Sequence, residues 1–292
     1  MAKKPITVMT PVFNRPELLS KLYISLVNQS CKDFDWLIVD DGSDEITKNT
    51  IKDMQSENLL CIEVIEQENS GKYIAHNTGV KNCRTELFVC VDSDDELFPN
   101  AIEKILEFWQ SYGTTADICG IVSPKSMSGK SYFKNPPEES SLMDLYNKGQ
   151  LVGETMLVFR TEVLKKYLFP EIKGEKFMSE CVIYNQIDKE YKFAVLNEYL
   201  YKAEYQSDGL TLNIEKIHDK NPVTTLIMFR SEAAFNNNFI KSAKSFGAYL
   251  AWKKVKSLKD YDKYPVKIYV RIAGVLLKPH YELLFKRKET EK

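Results

Sequence analysis

The sequence predicts an α/β fold: a mixed, mainly parallel sheet with helices on both faces, followed by a helical C-terminal extension. Three observations carry the prediction. Up to Tyr112, short apolar runs alternate with amphipathic stretches in the order β-α-β-α-β-α-β-α, the pattern of parallel strands joined by crossover helices. Each of the first four apolar runs ends in a polar loop, as at the ligand edge of an open parallel sheet. From about residue 211 onward the pattern is helical.

In chain order, Ile6–Thr10 is a β-type run ended by Pro11. Pro16 to about Gln29 reads as a helix, with proline in its first turn and Leu18, Leu19, Leu22 and Leu26 on one face. Phe34–Val39 is a second strand. It runs into Asp40-Asp41-Gly42-Ser43-Asp44, where Ser43 or Asp44 can cap a helix from about Ile46 to Ser56. Leu60–Ile65 is a third strand, followed by the polar loop Glu66–Lys72 and a helix carrying Ile74, Ala75, Thr78 and Val80. Leu87–Val91 is a fourth strand, and Pro99 opens a helix through about Tyr112. Beyond Gly113, Ile118–Val122 and Glu154–Phe159 read as strands, with Thr161 as a cap. Ser141–Asn147 and Glu180–Lys189 read as helices, and Phe193–Leu196 and Tyr199–Tyr205 as strands. The stretch from about Ser123 to Glu139 is rich in Ser, Gly, Lys and Pro without apolar period, and predicts a loop.

Composition bounds the function. The 292 residues suit one large α/β domain, alone or with an appendix. Hydrophobic and charged shares of 43% and 28% are those of a soluble globular protein. A net charge of −1 argues against a dedicated nucleic-acid binder. Six cysteines without a CxxC pair read as buried free thiols in a reducing compartment. The N-terminus has no signal-like apolar region and no segment approaches the roughly 20 apolar residues of a membrane span, so the expected location is cytoplasmic.

The chemistry concentrates after the fourth strand, where Val89-Cys90-Val91 meets Asp92-Ser93-Asp94-Asp95. If the strand geometry continues, Asp92 and Asp94 project to the same side. Carboxylates that close repel unless a cation lies between them, and Mg²⁺ shared with a phosphate is suited to that place. Three more loops follow earlier strands: Thr10-Pro11-Val12-Phe13-Asn14-Arg15, Asp40-Asp41-Gly42-Ser43, and Asn69-Ser70-Gly71-Lys72 with Ala75-His76-Asn77-Thr78-Gly79. Read singly, two of these have a plain structural explanation: Asp40 and Asp41 as helix caps, Gly71-Lys72 as a turn.

As an ordered set, these loops make residues 5 to about 210 resemble the family 2 glycosyltransferases of the GT-A fold, of the bacterial polysaccharide-biosynthesis type. The resemblance implies a Rossmann-like nucleotide-diphospho-sugar transferase sheet. It also implies an inverting transfer from a UDP-sugar donor to a hydroxyl of a glycan or lipid-linked acceptor, with Mg²⁺ or Mn²⁺. Carried onto this chain, Thr10, Pro11, Val12, Asn14, Arg15 and Asp41 hold the base, and Asn69, Gly71 and Lys72 approach the nucleotide and its phosphates. Asp92 faces the ribose and Asp94 binds the metal, with Asp92 and Ser93 beside it; Asp95 can share the task. Asp41 can accept from an imide N–H, which uracil has and cytosine and adenine lack. The catalytic base falls on Glu180, in Met178-Ser179-Glu180-Cys181, where relatives often carry an acidic pair and this chain has one acid. Where many members have a histidine, this chain has Gln206-Ser207-Asp208. The implied organisation is a donor half over 1–115, an acceptor half over 116–210 and a helical extension over 211–292.

Two other readings stand beside this one. A haloacid-dehalogenase-type phosphatase also uses a strand ending in DxD, though near its N-terminus. A transferase scaffold kept only for binding is the other. From about Lys253 the chain is dense in Lys and Arg interleaved with Tyr, Trp and Leu. This reads either as a packed helical appendix with a solvated basic face or as a peripheral attachment to an anionic membrane.

Overall fold

The computed structural model describes residues 4–112, 115–126, 131–203 and 214–290. The chain forms two compact units, one of Met1–Leu168 with Glu190–Gly209 and one of Phe169–Lys189 with Leu210–Lys292.

The first unit begins with three β-α pairs: β1 (Ile6–Val12) and α1 (Pro16–Val27), β2 (Phe34–Asp40) and α2 (Glu45–Ser56), β3 (Ile62–Glu66) and α3 (Lys72–Asn82). There follow β4 (Leu87–Cys90), β5 (Glu96–Leu97), α4 (Ala101–Tyr112) and β6 (Ile118–Ser126). Next come β7 (Tyr132–Phe133), β8 (Glu139–Ser140), α5 (Leu142–Asn147), β9 (Leu151–Val152), β10 (Thr155–Arg160) and α6 (Thr161–Leu164). After α7 (Cys181–Glu190), the strands β11 (Lys192–Val195) and β12 (Tyr201–Lys202) return to this unit. The expected α/β class is what forms. The main sheet runs β3-β2-β1-β4-β10-β6-β11-β8. The β3-β2-β1-β4 half is parallel, β10 is antiparallel to both its neighbours, and β11 is parallel to β6.

Helix positions follow from local chemistry. Pro16 occupies the first turn of α1, and Asp44 caps α2 by accepting from Thr47 N at 2.9 Å. Leu19, Leu22 and Leu26 of α1, Ile51 and Met54 of α2, and Ile102, Ile105 and Trp109 of α4 pack with Ile6, Val8, Trp36, Ile38 and Val89 of the sheet. The register pairs Val12 with Asp40 and Asp40 with Glu66, so β1, β2 and β3 end level and their loops leave from one edge. The strand order reverses between β1 and β4, where a crevice opens at the carboxyl ends of an α/β sheet.

Two expectations are corrected. Ser123–Ser126 is not loop but the second half of β6, because it finds partners on both sides: Pro124 lies opposite Thr155, and Lys125 opposite Tyr201. Of the stretch Tyr199–Tyr205, only Tyr201 and Lys202 join a ladder among the described residues. Residues 204–213, including Gln206, Ser207 and Asp208, lie outside the described residues.

The second unit joins α7 to α8 (Ile214–Lys220), α9 (Pro222–Phe235), α10 (Phe239–Val255) and α11 (Ile268–Thr290). The segment before α7 is tied to the start of α9. Glu175 accepts from Val223 N at 2.8 Å and Thr224 N at 2.7 Å, satisfying two amides that have no partner inside a helix. Asn221 in turn accepts from the backbone of Lys176 and Phe177. Leu226, Phe246, Tyr249, Trp252, Val266 and Val270 form the core. α10 and α11 cross where Gly247 meets Gly274: a Cβ on Gly274 would lie 3.0 Å from the amide nitrogen of Gly247 and 2.7 Å from the Phe246 ring.

Candidate active site

The four loops at the carboxyl edge of the sheet are stitched into one body by their own polar groups. Asn14, with φ 52°, donates its backbone N–H to Ser43 Oγ at 3.1 Å, and its side-chain carbonyl accepts from Asp44 N at 2.8 Å. Asp40 accepts from Ser43 N at 2.9 Å, closing the turn after β2. Gly42 has φ +82°, and a Cβ there would lie 2.8 Å from Asn69 N, so this position must be glycine for the second and third loops to touch. Asp41 binds the third loop directly. Its Oδ1 accepts from Gln67 Nε2 at 2.7 Å and Ser70 N at 2.9 Å, and its Oδ2 from Gly71 N at 2.8 Å.

The acidic loop does not continue the strand. β4 ends at Cys90, and the chain turns so that Asp95 N donates to Asp92 O at 3.1 Å. One oxygen from each of Asp92, Asp94 and Asp95 thereby lies within 4.8 Å of the others. The turn, rather than strand alternation, brings the acids together. Each acid faces a cation from a different element: Lys72 Nζ lies 2.8 Å from Asp92, Arg15 donates to Asp94 Oδ2 at 2.7 Å, and Lys125 Nζ lies 3.7 Å from Asp95. Burial pushes the Asp92 carboxyl up, but Lys72, Lys125 and Arg15 outweigh it and hold the group below its ordinary value. Asp95 is buried more deeply; burial, helped by Asp92 and Asp94 and opposed by Lys125 and Tyr201, pushes it up to about 6.

Three carboxylates form an all-oxygen donor set, which suits a hard divalent cation such as Mg²⁺ or Mn²⁺ and not a soft one. Asp92, Asp94 and Asp95 are the residues that would hold it.

The expected site residues take different places. Arg15, Lys72, Asp92 and Asp94 meet around the acidic loop, and Ser93 is buried in its turn. Asp41, Asn69 and Gly71 lie in the joined second and third loops. Pro11 and Val12 are buried at the end of β1, and Thr10 is buried with its hydroxyl accepting from Trp36 Nε1 at 3.0 Å. Glu180 belongs to the second unit, just before α7, where its carbonyl accepts from Ile183 N and Tyr184 N.

Two residues of the site had no signal in the motifs. Lys125 comes from the part of β6 expected to be loop. Tyr201 is fully buried; its hydroxyl donates to Asp95 Oδ2 at 2.7 Å and accepts from Asp92 N at 3.1 Å, and Lys125 Nζ sits 4.2 Å from its ring centre. Burial, then the neighbouring Asp92 and Asp95, hold the phenol well above its ordinary value, so it remains a donor. Tyr201→Phe strands a buried carboxylate and a backbone amide. The expected loss is about 1–3 kcal/mol, read as a lower denaturant midpoint with an unchanged slope.

The sequence signature of glycosyl transferase family 2 matches residues 7–168. The chain is 26% identical over 217 residues to the GalNAc(5)-diNAcBac-PP-undecaprenol β-1,3-glucosyltransferase of Campylobacter jejuni, covering 72% of this chain and 68% of that protein. It is 30% identical over 109 residues to the poly(ribitol-phosphate) β-N-acetylglucosaminyltransferase TarP of Staphylococcus aureus, covering 36% and 33% of the two chains. In fold it is similar to the crystal structure of S. aureus TarS 1–349 in complex with UDP-GlcNAc, with a TM-score of 0.61 at 17% identity over 97% of this chain and 92% of that one. The architecture is thus that of the GT-A transferases. With the family signature spanning more than half of the chain and the strand-end loops assembled in order at one edge, the protein belongs to glycosyl transferase family 2.

Proposed function

We propose that the protein is an inverting glycosyltransferase that moves a hexosyl or N-acetylhexosaminyl group from a UDP-sugar to a hydroxyl of a glycan or lipid-linked acceptor, in cell-surface polysaccharide synthesis. The observation that carries the reading is the acidic loop, in which Asp92, Asp94 and Asp95 each face a cation supplied by a different strand-end element. A bound Mg²⁺ or Mn²⁺ would neutralise charge on the departing diphosphate.

The chain's own groups divide the remaining work. Lys72 and Arg15 bring positive charge to the edge where phosphates would lie. Asp41 has two donors on Oδ1 and one on Oδ2, which leaves Oδ2 with capacity for an imide N–H of uracil. Glu180 is proposed to take the proton of the attacking hydroxyl. A single displacement with one base inverts the anomeric centre, and no side chain is assigned as a covalent nucleophile. The acceptor class follows the C. jejuni relative, whose name gives an undecaprenol-linked glycan, and the nucleotide follows the TarS complex. The phosphatase reading finds no support, since the matched family is one of transferases.

A thermal-shift screen of nucleotide sugars with Mn²⁺ tests the donor assignment. A ligand at 100 times its dissociation constant stabilises the native state by about 2.7 kcal/mol, a shift of several degrees for a chain of this size. UDP-sugars are expected to give that shift and to release UDP slowly without acceptor. A larger shift with CDP- or GDP-sugars overturns the uracil assignment, and binding without any turnover favours the scaffold reading.

A further inference from the structure

Helix α11 has two apolar faces, and the second unit uses only one. Val270, Gly274, Leu277, Tyr281 and Phe285 turn inward. Phe285 meets Trp252 with ring centres 5.1 Å apart, and Gly274 meets α10. The opposite face carries Ile268, Ile272, Val275, Leu276 and Leu283, all exposed, with Leu276 at 78%. Their spacing of 4, 3, 1 and 7 residues places them on one stripe of a helix with 3.6 residues per turn. The stripe continues onto the start of α10 through Phe239, whose ring centre lies 5.7 Å from that of Tyr269, and through exposed Ile240. A solvent-facing row of large aliphatic side chains this long marks a surface that meets something apolar.

The charges bordering the row identify the partner. Between residues 267 and 287 the sequence carries Lys267, Arg271, Lys278, Lys286 and Arg287 against one acid, Glu282. That acid is already bound to Lys254 at 2.9 Å and Lys278 at 3.5 Å. The segment is thus strongly cationic on a chain whose net charge is −1. By the helix period, Arg271 and Lys278 border one side of the row and Arg287 the other. A second copy of the chain laid stripe against stripe would bring these cations face to face. A bilayer rich in anionic lipids offers acyl chains to the aliphatic row and headgroup phosphates to its borders. Among the described residues no helix is long and apolar enough to cross a membrane, so contact is in the plane of the surface.

We infer that the outer face of α11, with the start of α10, is a docking surface for an anionic lipid bilayer. The argument uses this unit alone and does not depend on the transfer reaction.

Vesicle flotation of the full chain tests it, with liposomes of phosphatidylcholine alone or with a quarter phosphatidylglycerol. The protein is expected to float with the anionic vesicles at low salt, far less with the neutral ones, and to release as salt rises. Ile272→Glu with Leu276→Glu is expected to lower partitioning at least tenfold, and Arg271→Glu with Arg287→Glu to abolish the preference for anionic lipid. Both pairs are exposed, and a thermal melt of each variant beside the parent reports whether the fold is intact. Equal flotation of parent and both variants overturns the inference. So does a parent that fails to float and sediments as a dimer that the Ile272→Glu, Leu276→Glu variant turns into a monomer, which would make the stripe an interface between copies.

Discussion

Replacing Asp94 with alanine is expected to cut sugar transfer by at least about 10²–10³-fold, the loss typical when one group that stabilises developing charge is removed. The fold should hardly notice. Asp94 is partly exposed and its contact with Arg15 NH1, at 2.7 Å, is at the surface of the site. Both partners keep some exposure to water, so the loss of the pair is expected to cost the fold little beside the loss of transfer. UDP release in the presence of acceptor, measured beside a thermal melt, separates the two effects. Activity within tenfold of the parent, with Asp95→Asn inactive instead, would move the metal-binding role to Asp95, the more buried of the two.

Glu180→Gln is expected to leave donor binding intact and to lower turnover by about 10²–10⁴-fold, the usual contribution of a positioned general base. Glutamine keeps the shape of the side chain and removes its basicity. Glu180 is exposed and precedes α7, and the helix start depends on its backbone carbonyl, which accepts from Tyr184 N at 3.1 Å in either variant. Donor KM should therefore stay close to the parent value while kcat falls. Near-parent kcat would remove Glu180 from the reaction and leave it as a charge favoured by the positive end of the helix.

What could be read in the sequence was what obeys a local rule. The four early strands and the loops after them stand out by period and by turn residues, and Asp44 as a cap by its position before an amphipathic stretch. Arg15 and Lys72 stand out because they sit in those loops, and both side chains reach the acidic loop. What escaped was set by pairing across long stretches of chain. The polar composition of Ser123–Ser126 suggests a loop, and only two neighbouring strands, arriving from residues 155 and 201, make it a strand. That missed extension carries Lys125 into the site. Residues 169–189 join the C-terminal helices because Glu175 and Asn221 exchange hydrogen bonds with the other segment's backbone, a link no periodicity announces.

The hydrogen bond from Tyr201 to Asp95 spans 106 residues of chain. Contacts at such separation come late, because the entropy of closing a long loop is lost before the contact returns anything. The β3-β2-β1-β4 half is complete by Cys90, with Ile6 paired to Leu87, but Tyr201 reaches the acidic loop only once residue 201 has come back to lie beside it. A growing chain that has completed its first sheet half therefore has the carboxylates without the buried phenol that ties Asp95 to the Asp92 amide. The tyrosine that holds Asp95 and the Asp92 amide joins the acidic loop only when nearly all of the first unit is in place.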